Sequence, residues 1–493
     1  MRYPIGIQDF ENIRRDGYVY VDKTESIYKL FKGNGKYCFL SRPRRFGKSL
    51  LVSTMEAFFS GRKELFDGLA IAELEKDWVQ YPIFRLDLSG KAYDKEDILM
   101  SVLDDALMKW EEKYGVVNRS NVPGLRFGNV IQAACTQTGR PVVILIDEYD
   151  KPIIDNLLNE EAADTFRKQL QGFYSVMKEK DAYIKFGFLT GVTKMAKLSV
   201  FSGLNNLKDI SMDIRYADIC GISEVDLKKY FGESVKELAK ANDLSGQECY
   251  ERLAQMYDGY HFCENAPGMY NPFSLLNAFD SLKFNDYWFE TGTPSFLVQV
   301  MKDTDYDVTR LSDEEIDAPS LMDVDTVYHN PIPLLYQSGY LTIKGYDKEF
   351  GSYHLGFPNR EVKHGFLNYL VRYYTPSRTA SGMMLVSKML RDIRSGNAEG
   401  FMQRLEALFA KTSYQIQEVE KATSNGRIDV LIQTDQYVYI IELKRDRNPD
   451  DALDQVNEKG YDWPFRADGR KVFKIGASFS TKNRRLENWK VEG

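Results

Sequence analysis

Two sets of side chains in this sequence are spaced for phosphate chemistry, and the first is Arg42-Pro43-Arg44-Arg45-Phe46-Gly47-Lys48-Ser49. The apolar run Tyr37-Cys38-Phe39-Leu40 ahead of it reads as a buried strand. Behind it, Leu51, Met55 and Phe58 recur at helical spacing. A strand, a tight loop, Gly-Lys-Ser and a helix make a cradle for phosphate. Backbone N–H groups and the helix N-terminus face the anion, Lys48 reaches the β/γ oxygens, and Ser49 ligates Mg²⁺, with Gly47 supplying the turn. Arg42 stands where such a loop usually begins with Gly. That predicts either an altered loop path or extra charge beside the phosphates. Arg44 and Arg45 are either phosphate contacts or solvated loop charges.

Pro141-Val142-Val143-Ile144-Leu145-Ile146-Asp147-Glu148 is an apolar run ending in two carboxylates. A strand without polar alternation is buried on both faces, as in a parallel sheet covered by helices. An acid at its C-terminal end points into the crevice where such sheets bind ligands. Asp147 is assigned to the Mg²⁺ shell, and Glu148 to orienting or deprotonating the attacking water. The strands carrying these two motifs are expected to be neighbours. Ile83–Leu88 and Ile184–Leu189 supply further strands. After the latter, Thr190 or Thr193 either senses a γ-phosphate or caps the next element.

The second set lies near the end of the chain. Gly426-Arg427-Ile428-Asp429-Val430-Leu431-Ile432 and Tyr437-Val438-Tyr439-Ile440-Ile441-Glu442-Leu443-Lys444 read as strands, with turn chemistry in Thr434-Asp435-Gln436. A hairpin centred between Asp435 and Gln436 sets Asp429 opposite Glu442, with Cβ atoms about 5 Å apart. Lys444 shares the face of Glu442 because side chains alternate along a strand. Two carboxylates so close repel unless a cation lies between them. A divalent metal on Asp429 and Glu442 meets that need, with Lys444 positioning water or countering phosphate charge. Ala452, Leu453 and Val456 mark a following helix, on which Gln455 is either a fourth site residue or a surface residue.

Composition frames these motifs. The chain of 493 residues exceeds one ordinary domain. No apolar run approaches the roughly 20 residues that cross a membrane, and the N-terminus lacks the apolar core of a signal peptide. Five scattered cysteines and four histidines point to reduced thiols in a cytoplasm and away from a zinc or His-based centre. A net charge of −7 excludes a surface that coats nucleic acid throughout. Acids crowd Lys302–Asp325, read as a solvated loop or helix edge. Basic residues crowd Trp463–Gly493, which either track a phosphate backbone or form a solubilising tail. Ser223 ahead of Glu224-Val225-Asp226 reads as a helix N-cap. His261, among the aromatics of Tyr257-Asp258-Gly259-Tyr260-His261-Phe262, reads as a packed, hydrogen-bonded residue.

The chain resembles the bacterial proteins that join a predicted AAA-type ATPase domain to a C-terminal nuclease-like domain of the PD-(D/E)XK superfamily. The residues that carry this are Pro4-Ile5-Gly6-Ile7-Gln8-Asp9-Phe10, Tyr20-Val21-Asp22-Lys23-Thr24 and the Arg42–Ser49 loop, whose opening Arg resembles the family's own pattern. Asp147-Glu148-Tyr149-Asp150-Lys151-Pro152, Tyr257–Phe262, Tyr270-Asn271-Pro272, Leu335–Leu341 and Asp429…Glu442-Leu443-Lys444 continue it. The resemblance implies that Gly47, Lys48 and Ser49 hold phosphate and Mg²⁺, with Asp147 and Glu148 as the second ATPase motif. It also implies that Asp429, Glu442 and Lys444 are the nuclease signature, with Gln455 beside them. The long apolar helix that such proteins carry ahead of the hairpin is expected to be missing here, shortening the last domain. Glu418 or Glu420 then stand as substitute ligands.

The expected fold is α/β. A P-loop NTPase parallel sheet with helices on both faces occupies 1–222, a helical lid or connector 223–377, and a small restriction-endonuclease-like domain 378–493. The expected function is ATP binding and hydrolysis gating a Mg²⁺- or Mn²⁺-dependent nuclease acting on DNA or RNA. The alternative is an ATP-dependent switch whose last domain binds a partner or nucleic acid without cutting.

Overall fold

The computed structural model describes residues 1–33, 35–117, 120–194, 207–290, 297, 299–301, 306, 310–311, 314–322, 330–374, 381–409, 421–423, 426–465, 469–480, 482 and 485–493. They fall into two compact units, Met1–Phe366 and Leu367–Gly493.

In the first unit, apolar runs build a five-stranded parallel sheet from β1 (Tyr37–Ser41), β2 (Ile83–Asp87), β3 (Val142–Asp147), β4 (Ile184–Gly191) and β5 (Leu207–Asp209). Helices α1 (Phe10–Arg15), α2 (Lys48–Phe59), α3 (Glu96–Lys113), α4 (Pro123–Thr138) and α5 (Glu160–Tyr174) accompany them. Every residue of β1 and β3 is buried, as a sheet covered on both faces requires. The strand order is β2-β3-β4-β1-β5, which corrects one expectation: the two motif strands are not neighbours. β4 runs between them, pairing Leu40 with Thr190 on one edge and Ile146 with Leu189 on the other. Its side chains, buried at every position except Lys185, suit it to the middle of the sheet. Asp147 and Glu148 therefore look at the loop across the end of β4, where Thr190 stands.

From Ser223 the chain is largely helical, with α6 (Glu224–Ala241), α7 (Gly246–Tyr257) and α8 (Pro272–Ser281). Ser223 and Ser245 form capping boxes with Asp226 and Glu248. Leu227, Phe231, Leu253, Tyr257, Leu275 and Phe279 form the shared core of these helices. Short strands β6 (Ile222–Ser223) and β7 (Met269–Tyr270) pair with each other. β8 (Glu314–Asp317), β9 (Thr342–Asp347) and β10 (Ser352–Gly356) form an antiparallel sheet in the order β8-β10-β9. Part of the acidic run is thus a strand, not a solvated loop. Glu314 is buried there, accepting from the Tyr306 hydroxyl at 2.6 Å and from Arg310 at 3.2 Å.

In the second unit, β11 (Lys421–Thr423) and β12 (Gly426–Ile428) pair, and β13 (Val430–Gln433), β14 (Tyr437–Arg445), β15 (Lys471–Ser480) and β16 (Arg485–Glu492) form a sheet in that order. Before them come α9 (Ser381–Ser395) and α10 (Ala398–Phe409). α11 (Pro449–Glu458) is the crossover that lets β14 and β15 run parallel. Odd positions of β14, Tyr439 and Ile441, pack on Met389, Ile393, Phe401 and Met402 of α9 and α10. Even positions, Val438 and Ile440, pack on Val456 and Tyr461. The sheet is therefore not left without a helix ahead of the hairpin, as the sequence reading expects. The apolar spacing that covers it lies upstream of Leu408, where that reading begins. Glu418 and Glu420 lie outside the described residues. The basic end is likewise not a tail but β15 and β16. Lys474 bonds Asn457 at 2.6 Å and Glu492 at 3.3 Å, and Lys490 pairs with Asp450. Among the described residues, no helix is long and apolar enough to cross a membrane.

Candidate functional site

The loop after β1 turns through two left-handed residues, Arg45 at φ 66° and Gly47 at φ 91°, before α2 starts at Lys48. Glycine accepts such an angle without steric cost, which explains Gly47. Lys48 is 4% exposed. Its Nζ donates to the carbonyls of Arg42 at 2.9 Å and Pro43 at 3.2 Å and lies 3.9 Å from Glu148 Oε1. Arg42 brings no charge to the phosphate side, contrary to one branch of the sequence reading. Its guanidinium is buried and donates to the carbonyls of Ser41, Ser211 and Tyr216 at 2.9, 2.8 and 3.1 Å. It also stacks 4.0 Å over Phe262. A group with five donors lowers its energy by turning to these buried carbonyls, since a guanidinium taken out of water needs acceptors.

The remaining loop residues are gripped by the segment beyond Ser223. Phe46 is 1% exposed, edge-on to Tyr260 at 4.7 Å and Phe262 at 5.3 Å. Pro43 packs so closely on Gly339 that a Cβ there would lie 2.6 Å from it. Trp288 Nε1 donates to the Arg44 carbonyl at 3.2 Å. His261 is packed as read from sequence, its Nδ1 lying 2.9 Å from the Ala266 carbonyl.

At the end of β3, Asp147 is fully buried. Its Oδ1 accepts from the Thr190 hydroxyl, and its Oδ2 has no hydrogen-bond partner. Glu148 is held left-handed, at φ 52°, with its N–H 3.3 Å from Thr190 Oγ1. Asp150 accepts from the N–H groups of Val192 and Thr193 at 3.1 and 2.6 Å and from the Thr193 hydroxyl at 2.8 Å. Burial pushes its carboxyl up to about 6. Thr193, a sensor candidate from sequence, is fully buried, spends its hydroxyl on Asp150 and does not line the cavity described next.

Arg44, Arg45, Lys48, Ser49, Glu148 and Lys151 line a cavity of about 390 Å³, closed by Pro4–Gln8 and by Pro272, Phe273 and Leu276 of α8. Four cations against one carboxylate suit a polyphosphate. A mostly apolar hollow of about 100 Å³ shares the wall formed by Pro4, Gly47, Leu50, Pro272 and Leu276, and continues along Val19, Val21 and Ile222. Sequence reasoning gave no role to Lys151, although it lies inside the Asp147–Pro152 motif, and it missed Phe273 and Leu276, because nothing local marks a wall contributed from far along the chain. The Arg45 guanidinium lies 4.9 Å over the Phe273 ring. Asp147 Oδ2 is orphaned and buried, and Ser49 lines the cavity; a carboxylate and a hydroxyl are the hard oxygen donors that Mg²⁺ takes.

In the second unit the hairpin register is the one read from sequence. Val430 pairs with Ile441 and Gln433 with Val438, which sets Asp429 opposite Glu442. Asp429 Oδ2 accepts from the Leu443 N–H at 2.7 Å. Glu442 is 2% exposed. Its Oε1 accepts from Lys444 Nζ at 3.3 Å and from Gln455 Nε2, while Oε2 is buried without a partner. Gln455 Oε1 in turn accepts from Lys444, so Gln455 belongs to the cluster and not to the surface. α11 can carry it there because Gly476 faces the helix: a Cβ would lie 2.2 Å from the Pro449 carbonyl. Burial first, and then the charge of Asp429, pushes the Glu442 carboxyl up to about 7. Among the described residues no three His, Cys, Asp or Glu side chains group for a metal. The orphaned Glu442 oxygen and Asp429 fit a divalent ion that completes its shell with water and substrate oxygens.

The loop-and-carboxylate sheet and the separate carboxylate–lysine hairpin define an ATPase-like protein joined to a nuclease-like domain. Residues 4–201 match the family of predicted AAA-ATPases, and residues 397–489 match the PD-(D/E)XK nuclease superfamily. An uncharacterized protein from the vnfD 5′ region of Azotobacter chroococcum mcd 1 is 34% identical over 530 residues, covering 100% of this chain and 99% of its own. The chain belongs to this family of AAA-ATPase-like proteins with a C-terminal PD-(D/E)XK nuclease-superfamily domain.

Proposed function

We propose that the chain binds and hydrolyses ATP in the Lys48–Glu148 cavity and that nucleotide state gates metal-dependent cleavage of nucleic acid at Asp429, Glu442, Lys444 and Gln455. In the first reaction Lys48 leaves its two loop carbonyls for the β/γ oxygens, and Arg44 and Arg45 add charge at the rim. Glu148 accepts a proton as water attacks the γ-phosphorus and the bond to the bridging oxygen breaks. The apolar hollow beside the loop accepts the base.

In the second reaction Lys444, steered by Gln455, orients water toward a phosphodiester. The water gives its proton to solvent as its oxygen bonds phosphorus. The P–O bond to the leaving oxygen breaks, and that oxygen takes a proton from solvent. A divalent ion on Asp429 and Glu442, when bound, supplies charge neutralisation and a more acidic water. The observation that carries this reading is the orphaned Glu442 Oε2, buried beside Asp429 and Lys444 on one face. A mere cross-strand ion pair has no need of it.

The test is cleavage of labelled single- and double-stranded DNA and RNA with Mn²⁺, with and without ATP, by the parent, Asp429→Ala and Lys48→Ala. Cleavage is expected in the parent, absent in Asp429→Ala, and insensitive to ATP in Lys48→Ala. A folded parent that binds ATP but cuts nothing refutes the nuclease half and leaves a nucleotide-dependent switch.

A further inference from the structure

Building on ATP hydrolysis at the first site, we infer that Asp150 is a positioning residue for Glu148. Asp150 does not line the nucleotide cavity, and it is fully buried. Its acceptor oxygens take the N–H groups of Val192 and Thr193 and the Thr193 hydroxyl. Besides the Thr190 hydroxyl bond to Asp147 Oδ1, three more bonds tie the same two segments together. Tyr149 N–H donates to the Thr190 carbonyl at 3.0 Å, Tyr149 OH to the Thr193 carbonyl at 3.1 Å, and Glu148 N–H to Thr190 Oγ1 at 3.3 Å.

The stretch 147–150 is thus laced to 190–193, the end of the strand that lies between the two motif strands. Gly191 permits the approach, since a Cβ there would lie 2.6 Å from Tyr149 and 2.7 Å from Asp150 Oδ1. Glu148 needs this bracing because a left-handed backbone at a non-glycine residue persists only where its surroundings fix it. Asp150 supplies the anchor that accepts the most bonds, holding two backbone N–H groups and one hydroxyl of 192–193. Removing Asp150 leaves two buried N–H groups without an acceptor. The turn relaxes, and the Glu148 carboxylate leaves the line between Lys48 and the attacking water, while the phosphate contacts of the loop stay in place.

The experiment measures ATP affinity and turnover separately in the full-length parent, Asp150→Ala and Asp150→Asn. Asp150→Ala should bind ATP within roughly threefold of the parent and turn it over roughly 10- to 100-fold more slowly, the size expected of a misplaced catalytic group. Asp150→Asn keeps an acceptor oxygen and should recover most of the loss. If Asp150→Ala fails to fold, Thr193→Val should show the same split in weaker form, with Thr193→Ser restoring it. Unchanged turnover, or a loss confined to affinity, overturns the inference alone. A parent that binds ATP without hydrolysing it overturns the underlying reading and this inference with it.

Discussion

Glu442 pairs with Lys444 yet keeps one buried oxygen unpartnered, and its carboxyl is pushed from the ordinary 4.5 up to about 7, by burial first and Asp429 second. An acid raised in the folded state holds a proton that the unfolded chain has already released between those two values. The folded state therefore loses stability as pH rises from 4.5 through about 7, and the loss is complete above that. Metal needs the carboxylate, so its affinity runs the other way. Thermal melts of metal-free protein should fall across this window, and Mn²⁺ titration calorimetry should show tighter binding above about 7 than below it. Glu442→Gln should lessen both trends, leaving in the melts the like-signed contribution of Asp150, itself raised to about 6. A metal-free melt that rises with pH, where the parent exceeds the variant, contradicts this account.

At the scale of elements, the grip on the phosphate loop is the feature with most consequence. Phe46→Ala empties a site between Tyr260 and Phe262 and should cost about 3–5 kcal/mol. It should also weaken ATP binding although no phosphate contact is removed, which denaturant melts and equilibrium binding would check. Unaltered affinity in a destabilised variant would show that loop geometry does not depend on this contact.

Much at this scale was legible in the sequence. Period-two alternation and the Thr434–Gln436 turn fixed the hairpin register, and continuous apolar runs identified the parallel strands. Gln455 remained undecided, because a helix position acquires a partner only when Gly476 lets α11 lie on the sheet. The direction of Arg42, the insertion of β4 between the motif strands and the second wall of the cavity all depend on contacts between distant segments. No local pattern encodes them. The acidic and basic runs misled for a related reason, since charge counts say nothing about pairing: Glu314 and Lys474 each have partners within the fold.

For the whole molecule, two compact units with separate sites make two-state unfolding a poor expectation. Differential scanning calorimetry should resolve two transitions. ATP with Mg²⁺ should raise one in the parent but not in Lys48→Ala, and Mn²⁺ should raise the other in the parent but not in Asp429→Ala. A single transition raised by both ligands would mean that the units unfold together. Within the first unit, the Trp288 indole N–H ends on the Arg44 carbonyl, at the turn proposed to meet the phosphates. Only four other tryptophans, Trp78, Trp110, Trp463 and Trp489, share the chain. The protein thus carries its own optical probe of the loop: a shift in indole emission, subtracted against Trp288→Phe, reports occupancy of the cradle in real time with no label attached.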